Sequence, residues 1–165
     1  MTPTMQEVYR DIYKKFQHDF PLLHAIMDLV QTTRHVFEKR KKPALLVERA
    51  HYENPQDYEC HSIQHDFAKK SRQDLSYQDC SMFLIDALLI TDEAFLHYLP
   101  RVVYGVFCEG NDQTLFLSRL QTIDRSPLTA EEVPVIQGLL RAAQELEVYW
   151  QSVEDEEVAS ETETM

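Results

Sequence analysis

Apolar residues recur along this chain mostly three and four positions apart, the spacing of a helix face, and strict alternation is rare. Val8, Ile12, Tyr13 and Phe16 follow Thr4 and Glu7, which have capping-box spacing, so a first helix is predicted to about His18. A second starts near Asp19 or Phe20 with Pro21 in its first turn. It runs through Leu22, Leu23, Ile26, Met27, Leu29, Val30 and Val36 to the basic run Lys39-Arg40-Lys41-Lys42, with Pro43 beyond it. Ala44 to Ala50 reads as a short helix or, from Leu45-Leu46-Val47, a short strand. Asn54-Pro55 has the form of a cap and first turn for a sparsely apolar helix to about Ser71. Ser76 and Asp79 cap a stretch, Met82 to Leu89, that is apolar almost all round and is expected at the centre of the domain.

Thr91 caps the next helix, Phe95 to Phe107, in which Pro100 lacks an amide donor and is expected to kink or break it. Gly110-Asn111 supplies a turn, Leu115 to Ile123 a short helix, and Thr129 with Glu132 another capping box. Val135, Leu139, Ala142, Ala143, Leu146 and Trp150 then form the stripe of a last helix, which starts regularly only at Pro134. No Asn-Gly or Asp-Gly hairpin signal separates alternating runs. The pattern predicts an all-α fold: a single compact bundle of about six helices over residues 1–150, kinked centrally at Pro100. Residues 151–165, with six acids and no base, read as a disordered tail.

The 165 residues suit one domain, and their net charge of −12 is unevenly placed. Residues 1–73 carry 12 bases and 10 acids, a net of +2, whereas residues 74–165 carry 4 and 18, a net of −14. Without the tail, residues 74–150 still hold 12 acids against 4 bases. Such a field repels phosphate, so neither nucleic acid nor a membrane surface is an expected partner, and it steers a cationic protein inward. Three glycines cannot build a Walker loop or a dinucleotide fingerprint, and no cofactor is expected. Three widely spaced cysteines, Cys60, Cys80 and Cys108, suit a reducing cytoplasm. Met1 to Arg10 has no apolar signal core, and Met82 to Ile90 is too short to span a bilayer.

The segment LLITDEAFLHYLP (88–100) joins an apolar helix to an F-x-x-Y-L-P element, and LTAEEVPVIQGLL (128–140) opens a helix with L-T-x-E. Over residues 75–150 these features resemble a family of small bacterial helical proteins of unknown function. The resemblance implies a helical fold and supplies no activity.

Chemistry-bearing candidates are few. His65-Asp66 resembles the metal-binding step of HD-type phosphohydrolases, with His35 or His51 as an upstream ligand and Asp112 or Asp124 as the last. His61 and His65, at i and i+4 beside Cys60, have the spacing of a helical metal pair, although no Glu stands between them as in an HExxH helix. The basic run suits the C-terminal end of a helix dipole, and also the acidic half of a second copy. The largest feature left is a set of carboxylates, Asp92, Glu93, Glu109, Asp112, Asp124, Glu131 and Glu132, placed near helix starts and loops. The expected function is therefore binding without catalysis. Its most concrete form is a bacterial immunity or inhibitor protein whose acidic surface neutralises a cationic toxin such as a nuclease. A phosphohydrolase using His65 and Asp66, and a self-associating regulatory module, are the alternatives.

Overall fold

A computed structural model describes residues 4–163, and these are all-helical. Among them are eight α-helices rather than about six: α1 (Met5–Phe16), α2 (Phe20–Phe37), α3 (Arg49–Glu53), α4 (Tyr58–Phe67), α5 (Tyr77–Ile85), α6 (Asp92–Cys108), α7 (Gln113–Gln121) and α8 (Glu132–Glu163). Short 3₁₀ turns, Arg72–Asp74 and Ala87–Leu89, precede and follow α5. One continuous core runs from Val8 to Leu146, drawing on both the neutral and the acidic halves. No described helix is long and apolar enough to cross a membrane.

The caps stand where their spacing placed them. Thr4 and Glu7 exchange side-chain and backbone hydrogen bonds, as do Ser76 and Asp79. Asp19 accepts from the Leu22 amide and Thr91 from that of Ala94. Each satisfies an amide with no partner inside its helix, worth about 1 kcal/mol. Thr129 and Glu132 form the third box. Residues 130–131 make only a turn, and regular helix begins at Glu132, two residues before Pro134. Pro134 has no amide to return to the carbonyl four residues back, so the opening turn is irregular.

Three elements differ from the sequence expectation for identifiable reasons. Asn54-Pro55 does not start a helix; Asn54 closes α3, and Asp57 caps α4 by accepting from the Cys60 amide. Residues 44–47 make an irregular strap, bent at Ala44 and Leu46, rather than the short helix or the short strand expected. It is held by Gln64, which donates to the Ala44 carbonyl and accepts from the Leu46 amide, and by a single antiparallel bridge between Val47 and Ile90. The acidic segment from residue 151, expected to be disordered, continues α8 to Glu163, while 164–165 lie outside the described residues. Extending a packed helix needs no new nucleation, and Gln151 bonds Asp155 four residues on.

The helix at the centre is α6, not the stretch Met82 to Leu89. Ten of its seventeen residues are buried, and α1, α2, α5 and α7 pack around it. It runs through Pro100 without a break in the assigned helix. An interior proline costs about 3 kcal/mol. Burial of Leu96, Leu99, Val102 and Val103 outweighs that, at about 1.5–3 kcal/mol for each large apolar side chain. Phe83 of α5 sits between Phe67, Phe95 and Tyr98, with ring centroids 5.3–5.9 Å apart, and Phe116 of α7 packs on Phe95 and Phe107. α5 thus buries Cys80, Phe83 and Leu84, then stops at Asp86 and leaves Met82 and Ile85 outside.

The turns around α6 are tied by arginines. Arg72 donates to the carbonyls of Phe37, Glu38 and Arg40 at the end of α2, and to that of His97 on α6. Arg101 donates to the Leu75 carbonyl. Arg119, 3% exposed, donates to the carbonyls of Ala87 and Ile90, to Thr122 Oγ1 and to Asp92. Replacing Arg119 by leucine leaves two buried carbonyls and one carboxylate without their partner. The expected loss is about 3–5 kcal/mol in urea denaturation. Arg125→Ala, at an exposed position, should stay within about 0.5 kcal/mol of the parent.

Candidate functional site

Of the seven carboxylates, three are committed to internal ion pairs. Asp92 accepts from Arg119 Nη2 at 2.6 Å and from the Asp124 amide at 3.0 Å. Glu109, at the C-cap of α6, takes Arg101 Nη1 at 2.5 Å. Glu132 is buried and bidentate with Arg40, at 2.5 and 2.7 Å. Two more are local caps. Asp112 accepts from the amides of Thr114 and Leu115, and Asp124 from the amide and hydroxyl of Ser126, which hold its carboxyl below the usual range. Glu93 and Glu131 are exposed. Asp92-Glu93 and Glu109-Asp112 stand at opposite ends of the 17-residue α6, about 25 Å apart. The set is therefore distributed over the molecule rather than gathered on one small patch.

The basic run also differs from its expected role. α2 ends at Phe37, so residues 39–42 lie beyond the helix, and Arg72 meets its terminal carbonyls instead. Arg40 reaches Glu132, and Lys42 donates to the carbonyls of Ala68 and Lys70, which fastens the strap to the end of α4. Lys39 and Lys41 are exposed. Nothing in the spacing of Arg40, Arg72 and Arg119 marks them as internal, because their partners are backbone carbonyls and carboxylates tens of residues away.

His65 and Asp66 are exposed side by side on α4, Nδ1 and Oδ1 3.4 Å apart. Among the described residues, no third metal-ligating side chain joins them, and His35, Asp112 and Asp124 are not brought to them. His61, expected as the partner of His65, instead bonds the Asn54 carbonyl through Nε2 and stacks on Tyr52. The three cysteines form no disulfide, and burial pushes the thiols of Cys60 and Cys80 up to about 11 and that of Cys108 to about 12. None is a thiolate at neutral pH, so none is a ready nucleophile.

What the sequence placed in the core lies partly on the surface. Met82, Ile85 and Leu88 are 51%, 59% and 75% exposed, three residues apart along α5 and the following 3₁₀ turn. Met82 and Ile85, one turn apart, form a ridge on α5, and Leu88 is exposed just beyond its end. Carboxylates border it. Asp86 lies beside the ridge, its carboxyl raised first by burial and then by the neighbouring charges of Glu59 and Asp66 on α4. Met82 also lines a shallow depression between α4 and α5 with Asp66, Asp79, Lys69 and Lys70, of which Lys70 is paired with Asp79 at 2.9 Å. The signal in the sequence was the apolar-all-round pattern. Such a helix either has two buried faces or turns one toward a partner, and only packing distinguishes the two.

No protein-family model, curated protein or solved structure matches this chain.

The Arg40–Glu132 pair should be visible in the pH dependence of stability. Hydrogen bonds from Arg40 hold the Glu132 carboxyl below its ordinary value of 4.5. A carboxyl with a lowered folded pKa stabilises fully above the unfolded value and loses that contribution as pH falls through the folded one. Urea midpoints should fall from pH 6 to pH 3, and Glu132→Gln should be less stable at pH 6 while losing part of this slope.

Proposed function

We propose that this is a non-enzymatic binding protein that docks on a basic protein surface and blocks it. In its most concrete form it is a cytoplasmic bacterial immunity or inhibitor protein for a cationic toxin such as a nuclease. A nuclease groove is cationic because its substrate is phosphate, and an acidic protein is its natural competitor. The observation that carries the reading is the exposure of Met82, Ile85 and Leu88, with Asp66 and Asp86 lining a depression beside Met82 and Glu59 near Asp86. Specific interfaces combine an apolar centre that excludes water with a polar, charged rim. The surrounding charge supports it. Outside the internal pairs Arg101–Glu109, Arg119–Asp92 and Arg40–Glu132, residues 74–150 still hold nine acids against two bases. The sequence resemblance to small bacterial helical proteins is compatible with this reading and assigns no residue to it.

The protein, co-expressed with a toxin encoded beside it, should co-purify with that toxin and suppress its nuclease activity. Binding should weaken by tenfold or more between 50 and 500 mM salt. Leu88→Asp, at an exposed position, should leave the fold intact by circular dichroism and weaken binding at least tenfold. Salt-independent binding, or full binding by Leu88→Asp, would contradict the proposal. Light scattering that showed salt-sensitive oligomers of the protein alone would favour the self-associating alternative.

A further inference from the structure

The link between α3 and α4 gathers three side chains of the kinds that hold transition metals. His51 is on α3, Asp57 is the N-cap of α4, and Cys60 lies one turn into α4. One potential ligand atom from each lies within 4.8 Å of the other two, a grouping of three found nowhere else among the described residues. In a four-coordinate zinc site, bonds of about 2.0–2.3 Å place ligand atoms about 3.3–3.7 Å apart. Shifts of an ångström or less would therefore close the three around one ion. His51 Nδ1 and Asp57 Oδ2 are already 2.9 Å apart.

We infer that His51, Asp57 and Cys60 bind a thiophilic divalent cation of the Zn²⁺ class, through imidazole nitrogen, carboxylate oxygen and thiolate sulfur. The backbone prepares the site. Asp57 Oδ1 accepts from the Cys60 amide at 3.1 Å, which fixes the carboxylate and leaves Oδ2 toward His51. That bond persists when the ion is bound and acts as an outer-shell support. Cys60 is 1% exposed and closes the inner side, whereas the His51 side chain is 57% exposed and leaves an entry from solvent. Sulfur and imidazole together select Zn²⁺ or Co²⁺ over Mg²⁺ or Ca²⁺. On binding, the Cys60 S–H bond breaks and a metal–sulfur bond forms, with the proton released to solvent. His51 binds as the neutral imidazole, through the ring nitrogen that carries no proton. Thiolate and carboxylate balance the two positive charges, and nothing is oxidised or reduced. Three protein ligands leave a fourth position for water or an external donor.

The site does not rest on the docking proposal, although it adjoins that surface: Glu59 precedes Cys60 on α4, and Asp86 is near enough to act on its thiol. Full-length protein, reduced and anaerobic, would be titrated with Co²⁺ and then with Zn²⁺. One equivalent of Co²⁺ should produce a thiolate-to-cobalt charge-transfer band with the strong visible absorption of a four-coordinate ion, and Zn²⁺ should abolish both. Cys60→Ser should remove the charge-transfer band. His51→Ala, at an exposed position that leaves folding readable should the buried Cys60→Ser variant misfold, should weaken binding at least tenfold. His65→Ala should change nothing. No charge-transfer band with excess Co²⁺, a band that persists in folded Cys60→Ser, undiminished binding by His51→Ala, or loss of binding in His65→Ala would each overturn the assignment.

Discussion

Guanidinium groups that satisfy backbone carbonyls in the turns around α6 are the constraint on which the rest of the molecule depends. The strap and the two 3₁₀ turns have no sheet to pair with, and a buried carbonyl left unpaired costs about 1–3 kcal/mol. Arg72 joins the end of α2 to α6, and Arg119 joins the turn after α5 to α7 and to the first residue of α6. Arg101 reaches back from α6 to Leu75. Tyr98 repeats the device without charge, its hydroxyl donating to the carbonyls of Phe67 and Lys70. Chain segments far apart in sequence are thereby held against one helix.

The arrangement has an electrostatic consequence. Each base drawn inward to meet a carbonyl or a carboxylate is lost to the surface, and Lys15, bonded to the Val106 carbonyl, adds to the number. In the acidic half two of four bases and three of twelve carboxylates turn inward, so its exterior keeps nearly the net charge that its composition gives. Charge alone gives long-range attraction without a place to land. In the proposed docking, the exposed Met82, Ile85 and Leu88 would supply that place. On α5, Phe83 and Leu84 face the core against α4 and α6, while Met82 and Ile85 on the other face remain exposed.

The helices and caps were legible in the sequence because both are local. A capping box joins residues three apart at a helix start, and the boxes at Thr4, Ser76 and Thr129 formed where the apolar pattern begins. The candidate site was much less legible. Asp92, Glu109 and Glu132 look like free surface acids until Arg119, Arg101 and Arg40 arrive from elsewhere in the chain. Likewise His51, Asp57 and Cys60 have no recognisable motif spacing, because the turn at Asn54-Pro55, rather than a helix face, brings them together.

By itself, then, the sequence determined an all-helical chain, the start of most of its helices and the division of charge between its halves, since these follow from neighbours within a few residues. Tertiary structure decided which helix is central, which arginines are buried and which apolar residues remain in water. Those outcomes depend on where two helix faces meet and on which carbonyls lack a partner, neither of which exists until the chain has packed.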